Sequence, residues 1–189
     1  MNINQSVVHL LSGGFDSVTL LHDLVGQGVK VHCLLANYGQ PHAKELEFAE
    51  YHCRRLGVLF TRLILPSLGG LTDGNWIVPN RNAILISLAV NVAVKAKADA
   101  VTIGCNADDS EAFPDCRTAF VDAINVSLSA AEVRVEVCAP YIQKRKWEIG
   151  AIAREIGVSG DSTWSCYRGG VAPCGTCPAC EKMKGVSCL

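Results

Sequence analysis

The chain has 189 residues, with 17 Lys plus Arg against 18 Asp plus Glu and a net charge of −1. At 49% hydrophobic and 19% charged residues it is not a disordered chain, and the even charge balance excludes a general electrostatic grip on nucleic acid or an anionic membrane. The length suits one ordinary domain with at most a small appendage. No apolar run reaches the ~18 residues of a membrane span. Residues 1–6 lack the basic segment of a signal peptide. The ten cysteines are therefore expected in a reducing, cytoplasmic setting, as thiols or metal ligands rather than disulfides.

Residues 6–11 read as a buried strand ended by Ser12-Gly13-Gly14, and 16–25 as a helix stopped by Gly26-Gln27-Gly28. A β-rich run follows at 29–36, then a helix at 41–56 with Pro41 in its first turn, where a missing N–H costs least. Residues 59–65 form a third strand, and 66–80 read as a loop. A helix at 82–97, a strand at 100–104, a helix at 118–129, a strand at 133–137 and a helix at 146–156 complete the alternation. This pattern predicts an α/β fold, a doubly wound and mostly parallel five-stranded sheet. From Gly160 onward periodicity yields to glycines and five cysteines. The expected division is an α/β domain at 1–159 and a metal-organised tail at 160–189.

Ser12-Gly13-Gly14-Phe15-Asp16-Ser17 follows a strand and opens a helix. Two glycines permit positive φ and let backbone N–H groups approach an anion, and the helix N-terminus adds positive dipole. Neither the Gly-x-x-x-x-Gly-Lys loop nor the Gly-x-Gly-x-x-Gly fingerprint is present. A plainly capped helix after a glycine turn is the simpler alternative.

Cys166, Cys174, Cys177 and Cys180, with two x2 spacings, match a closed tetrahedral zinc site of structural character. Paired disulfides or an iron–sulfur cluster are the competing uses of four cysteines. All five histidines precede residue 53, so a metal site in the second half depends on cysteine or carboxylate. Cys33, Cys53, Cys105 and Cys138 lie in apolar runs and read as small buried hydrophobes, and Cys188 as spare.

Ser-Gly-Gly-x-Asp-Ser after the first strand resembles the pyrophosphate loop of the PP-loop ATPases. Further along stand Tyr38-Gly39-Gln40-x-His42, Val78-Pro79-x-Arg81-Asn82, Gly104-x-Asn106-Ala107 and Phe113-Pro114-Asp115-Cys116-Arg117, then the four-cysteine motif. Over residues 6–181 or so the set resembles the 7-cyano-7-deazaguanine synthase (QueC-type) family. The resemblance implies ATP, Mg²⁺ and Zn²⁺, with 7-carboxy-7-deazaguanine and ammonia as substrates. ATP would adenylate the carboxylate, ammonia would displace AMP, and a second ATP would carry the amide to the nitrile. Leu11, Ser12, Gly13, Gly14, Phe15, Asp16, Ser17, Arg81 and Asn82 are the implied nucleotide contacts, with Asp16 holding Mg²⁺. Asn106, Asp109, Asp115, Cys116 and Arg117 are the implied substrate contacts. Asp16, Asp115, Arg117 and Lys146 are the implied catalytic groups, Lys146 neutralising the α-phosphate.

Plainer readings stand beside these. Asp109 reads equally as a solvated loop acid, Arg117 as a partner of Asp115, and Lys146 as part of a surface run with Lys144 and Arg145. Cys116 also admits a thioester role. The sequence departs from the family pattern in a short 65–79 loop, in Ser110-Glu111-Ala112, and in Asn80 before Arg81. A reshaped rim of this kind makes an amide-forming variant the alternative product reading. A zinc module that reads nucleic acid, or a PP-loop enzyme with another acceptor, are the remaining alternatives; the charge balance opposes the first, and no direct nucleic-acid partner is expected. A homodimer is left open.

Overall fold

The computed structural model describes residues 5–72 and 78–187. Five strands form one fully parallel sheet in the order β3-β2-β1-β4-β5. They are β1 Ser6–Leu10, β2 Lys30–Asn37, β3 Leu59–Ile64, β4 Ala100–Thr102 and β5 Glu136–Cys138. The helices are α1 Phe15–Gly26, α2 Glu45–Leu56, α3 Pro66–Gly69, α4 Arg81–Ala96, α5 Ala107–Ala112, α6 Thr118–Ala130, α7 Lys146–Glu155 and α8 Pro178–Ser187.

Two apolar layers sandwich the sheet. Val7, Leu21, Cys33 and Leu35 pack with Leu24, Ala49, Cys53, Ile149 and Ala153 of α1, α2 and α7. Val8, Leu34 and Val101 pack with Ile86, Ala89, Ala93 and Val121 of α4 and α6 on the other side. Successive strand residues thus feed opposite cores, as the period of two requires when both sheet faces are covered. The strand order reverses between β1 and β4. A crevice opens at their carboxyl ends, where open parallel sheets bind ligands.

The doubly wound architecture is as expected, with differences at the ends of elements. β5 spans Glu136–Cys138 rather than 133–137, because Glu132 adopts φ 57° and Val133 still donates back to Leu128 O. Residues 41–44 form turns that feed α2 at Glu45 instead of its first helical turn. α3 lies within the expected loop, and residues 73–77 of that loop fall outside the described residues. α5 is short and polar, with no apolar stripe to betray it, and is capped by the Asn106 side chain accepting from Asp109 N–H. The cysteine-rich tail holds a helix, α8, whose Met183 and Val186 pack against the first core.

Candidate functional site

The turn between β1 and α1 is built by glycine and two hydroxyls. Gly13 has φ +92°, and a Cβ there would stand 1.9 Å from Glu45 O, so α2 leaves room for no side chain. The Ser17 hydroxyl donates to Gly14 O at 3.0 Å. Its oxygen lies 2.9 Å from Ser12 Oγ, so the Ser12 proton goes to Ser17, while Ser12 Oγ accepts from Gly14 N–H at 3.2 Å. Behind the loop, buried His9 donates Nε2–H to Ser17 O at 2.9 Å and accepts at Nδ1 from the Thr102 hydroxyl at 2.9 Å. Burial holds this imidazole down at about 4, so it stays neutral and in one tautomer. Gly104 passes so close to Ser17 that a Cβ would lie 3.0 Å from its Cα. The end of β4 is thereby pressed against the loop.

Asp16, in the first turn of α1, faces Lys146, whose Nζ is 2.7 Å from both carboxylate oxygens. Asn106 Nδ2 donates to Asp16 Oδ2 at 3.0 Å and to Asp109 Oδ2 at 2.8 Å. Burial and the neighbouring Asp16 charge raise the Asp109 carboxyl above its usual range, against the pull of Lys182 Nζ at 3.1 Å. Lys146 is positioned by its backbone N–H on Asp108 Oδ2 at 2.7 Å, at the first turn of α7.

Across the crevice, Arg81 and Asn82 open α4. Asn82 N–H donates to Asp115 Oδ2 at 3.4 Å, and its Nδ2 reaches Cys116 Sγ at 3.6 Å. Arg81 Nη1 donates to the Tyr38 hydroxyl at 2.9 Å, while its buried Nε has no partner. Glu45 is buried beside them and accepts from Gln40 Nε2 at 3.2 Å. Burial pushes its carboxyl up to about 8 and holds His42 down at about 4. Their 3.6 Å approach therefore joins neutral partners rather than an ion pair. Tyr38, His42, Glu45, Arg81 and Asn82 line one cavity of about 270 Å³, together with Ser12, Asp16, Ser17, Asp109, Cys116, Lys146, Trp164, Tyr167 and Lys182.

The tail is tied to the loop. Trp164 N–H donates to Gly13 O at 2.9 Å, and its Nε1 donates to Cys166 O at 2.9 Å. Lys44 Nζ sits 4.4 Å from the Trp164 ring centroid and donates to Val171 O at 2.7 Å. Gly169 meets Pro41 so closely that a Cβ would lie 2.0 Å from its carbonyl oxygen. The sulfurs of Cys166, Cys174, Cys177 and Cys180 all lie within 4.8 Å of one another. Backbone N–H groups of Cys174 and Cys177 donate to Cys166 Sγ and Cys174 Sγ, each at 3.3 Å. Gly175, at φ +72°, makes the turn between them. Four convergent, N–H-supported sulfurs with no carboxylate among them form a candidate metal centre for a thiophilic ion.

The structure brings Ser12, Gly14, Asp16, Ser17, Arg81, Asn82, Asn106, Asp109, Cys116 and Lys146 together, from segments far apart in sequence. Leu11 and Phe15 line the same cavity and Gly13 shapes its floor. Asp115 stands behind it, paired with Asn82 and adding negative charge near Arg81. Arg117 is exposed, donates Nε–H to Ser110 O at 2.9 Å and does not line the cavity. Cys33, Cys53 and Cys105 are buried and Cys138 half-buried, while Cys188 lies outside the described residues. Glu45, Trp164 and Lys182 went unread in the sequence: an acid in a first helical turn, a loop tryptophan and a tail lysine carry no spacing signal.

A glycine turn at the switch point of a parallel sheet, facing a carboxylate–lysine pair, defines an α/β protein of the PP-loop class. Solved structures agree on the fold. The U34-tRNA thiolase NcsA of Methanococcus maripaludis superposes with TM-score 0.58 at 17% identity, over 97% of this chain and 63% of that one. An NH3-dependent NAD synthetase from Campylobacter jejuni does so with TM-score 0.58 at 23% identity, over 84% of this chain and 67% of that one. The family model for Queuosine biosynthesis protein QueC matches residues 6–75 and 72–185. The 7-cyano-7-deazaguanine synthase of Caldicellulosiruptor saccharolyticus is 38% identical over 93% of this chain and 87% of its own length. That of Pseudoalteromonas atlantica is 36% identical over 94% and 91%. The chain belongs to the QueC family.

Proposed function

We propose that the chain is an ATP-dependent C–N ligase that converts 7-carboxy-7-deazaguanine to 7-cyano-7-deazaguanine. The carboxylate oxygen attacks the α-phosphorus of ATP, the bond to the β-phosphate oxygen breaks, and pyrophosphate leaves. Ammonia adds to the acyl carbon and AMP departs, leaving the amide and a proton. The amide oxygen takes a second AMP in the same way. Loss of that AMP and a further proton forms the nitrile. A conjugated carboxylate resists ammonia because oxide is a poor leaving group, and adenylation replaces oxide with a stable phosphate.

The observation that carries this reading is the Gly13–Gly14 turn and the Asp16–Lys146 pair facing one cavity at the strand ends. Backbone N–H groups at the start of α1, with the Ser12 and Ser17 hydroxyls, hold the leaving pyrophosphate. Lys146 is placed to take negative charge at the α-phosphate once Asp16 is otherwise engaged. Asp16, steadied by Asn106, fits a magnesium ion, which favours one carboxylate plus phosphate oxygens and neutralises charge on the phosphates. The four tail thiolates fit zinc, whose closed coordination gives it a structural role. Arg117, which the resemblance pairs with the substrate carboxylate, is exposed and donates to Ser110 O, so this reading gives it no role in the steps above.

Purified protein is incubated with 7-carboxy-7-deazaguanine, ATP, Mg²⁺ and ammonia, and the products are weighed by mass spectrometry. The expected result is nitrile as end product with two AMP per nitrile. Accumulation of the amide without nitrile would replace this reading with the amide-forming one.

A further inference from the structure

One group of the cavity lining has a composition of its own: Tyr38 with Arg81, His42 with Glu45, and Tyr167 against the His42 ring. Gln40 is fully committed, donating to Ala36 O and Glu45 and accepting from Tyr38 N–H, so it fixes the carboxyl in place. Arg81 Nε and His42 Nδ1 are buried polar atoms without a partner. Tyr38 accepts from Arg81 and keeps its own proton to donate. A carboxyl group, an unpaired guanidinium N–H and a phenol thus surround one recess. Buried groups of this kind are costly unless a ligand pairs them.

We propose that this recess reads the pyrimidine edge of the substrate, Glu45 accepting from the ring N1–H and the 2-amino group while Arg81 and Tyr38 donate to the 6-oxo oxygen. The assignment rests on the reaction proposed above for what the substrate is. Its basis is complementarity of donors. Glu45 is protonated in the free protein, and two parallel N–H donors favour its ionised form, so the base binds with release of the Glu45 proton to solvent. The carboxylate then offers two parallel acceptors to the N1–H/2-amino pair. Adenine has no adjacent donor pair, because its 6-amino group is flanked by ring acceptors. ATP would leave Glu45 half-satisfied, so the nucleotide base belongs to the apolar side of the cavity lined by Leu10, Leu34, Leu85, Ile86 and Ile103. The 7-substituent sits on the other ring from the 2-amino edge. A base read at Glu45 therefore holds its carboxylate beside the 6-oxo oxygen and away from Glu45. Tyr38 and Tyr167 supply aromatic walls for a planar bicycle. This places edge recognition on Glu45 rather than on Asp109 or Asp115, the acids suggested by the family motif. Asp109 is occupied by Asn106 and Lys182, and Asp115 by Asn82.

The test is a cycle between protein and ligand, read by calorimetric titration of zinc-loaded full-length protein. The ligands are 7-carboxy-7-deazaguanine and its 2-desamino counterpart. Wild-type protein is expected to prefer the parent base by about tenfold or more, the penalty of an unpaired buried acceptor. Glu45→Gln is expected to reduce that preference to about twofold, and in turnover the loss falls on KM for the base rather than on KM for ATP. Asp109→Asn is expected to retain the preference. Equal binding of both bases by wild type overturns the proposal, and this needs no variant to fold. So does an equal weakening of both by Glu45→Gln, or loss of the preference in Asp109→Asn. AMP formation by wild type reports separately on the reaction. Discrimination between the bases without AMP would sink the reaction and keep the subsite, and AMP formation without discrimination would do the reverse.

Discussion

Lys146 Nζ stands 2.7 Å from both carboxylate oxygens of Asp16, although 130 residues separate them in the chain. Each side chain is only 15% exposed, so the pair is a fixed part of the cavity wall rather than a surface contact. It joins the first turn of α1 to the first turn of α7. Two helix N-termini thus bring an anion and a cation together at the strand-end cavity.

Lys146→Met is expected to lower kcat/KM for AMP formation by about 10²–10³-fold, the usual loss for one preorganised electrostatic group. The melting temperature should also fall, because the largely buried Asp16 carboxylate then stands beside Asp109 with only the neutral Asn106 amide to hold it. Asp16→Asn should lose at least as much activity. Single-turnover AMP release measures both. Wild-type turnover in Lys146→Met would remove the lysine from the mechanism.

Gly13→Ala tests the phosphate turn. The new methyl would face Glu45 O at 1.9 Å with the backbone at φ +92°. Either α2 or the turn must move, at a cost of roughly 3 kcal/mol or more. The expected outcome is loss of ATP binding by titration calorimetry, with a lowered urea midpoint.

The acid limb of stability should carry the signature of His9. Its folded pKa, about 4, lies below the ordinary 6.5. The stability it contributes is therefore fully present above pH 6.5 and is lost as pH falls toward 4, when the unfolded chain takes up a proton that the native state refuses. For this fully buried ring the loss amounts to about 3 kcal/mol. His42, also held at about 4, acts in the same direction. Glu45, pushed up to about 8, acts oppositely: its contribution is present below 4.5 and is lost as pH rises through 8. The wild-type curve sums these effects, and variants separate them. Urea unfolding of His9→Asn should show a shallower acid loss than wild type, and that of Glu45→Gln a shallower alkaline loss. Parallel curves for wild type and both variants would contradict these environments.

Removal of the proposed zinc should reach the cavity through Trp164. Its N–H holds Gly13 O, and its indole is anchored on the carbonyl of Cys166. Chelation of the purified protein, or Cys177→Ser, is expected to release one zinc per chain by elemental analysis. It should also raise KM for ATP by about five- to tenfold, the worth of a lost loop anchor. Restored KM on adding zinc back would separate this from irreversible unfolding.

Much of the architecture was legible because it repeats locally. The alternation of apolar runs and amphipathic segments fixed five strands and their helices to within a few residues. Where α5 went unassigned and the 133–135 segment was misread, the reason is physical: a six-residue polar helix has no stripe, and Val133 and Val135 pack into the second core without joining the ladder. The glycine turn and the four-cysteine cluster were readable because glycine conformation and cysteine spacing are local constraints on a few adjacent residues. Arg117, adjacent to Asp115 and Cys116, looked like part of the same cluster. Only the backbone after the Pro114–Cys116 turn decides that it faces Ser110 instead.

By itself, the sequence determined what is encoded within a turn or two of chain: the strand–helix alternation, the glycine turn that opens a helix, and a tail with four cysteines at metal-ligand spacing. The tertiary structure decided what depends on distance in sequence. It laid the tail against Gly13, set Lys146 on Asp16, and buried Glu45 beside Arg81 and Tyr38, where burial outweighs the Arg81 charge and gives an ordinary first-turn acid an unusual proton affinity. Burial and pairing arise from the packing of remote segments, and no residue carries them alone.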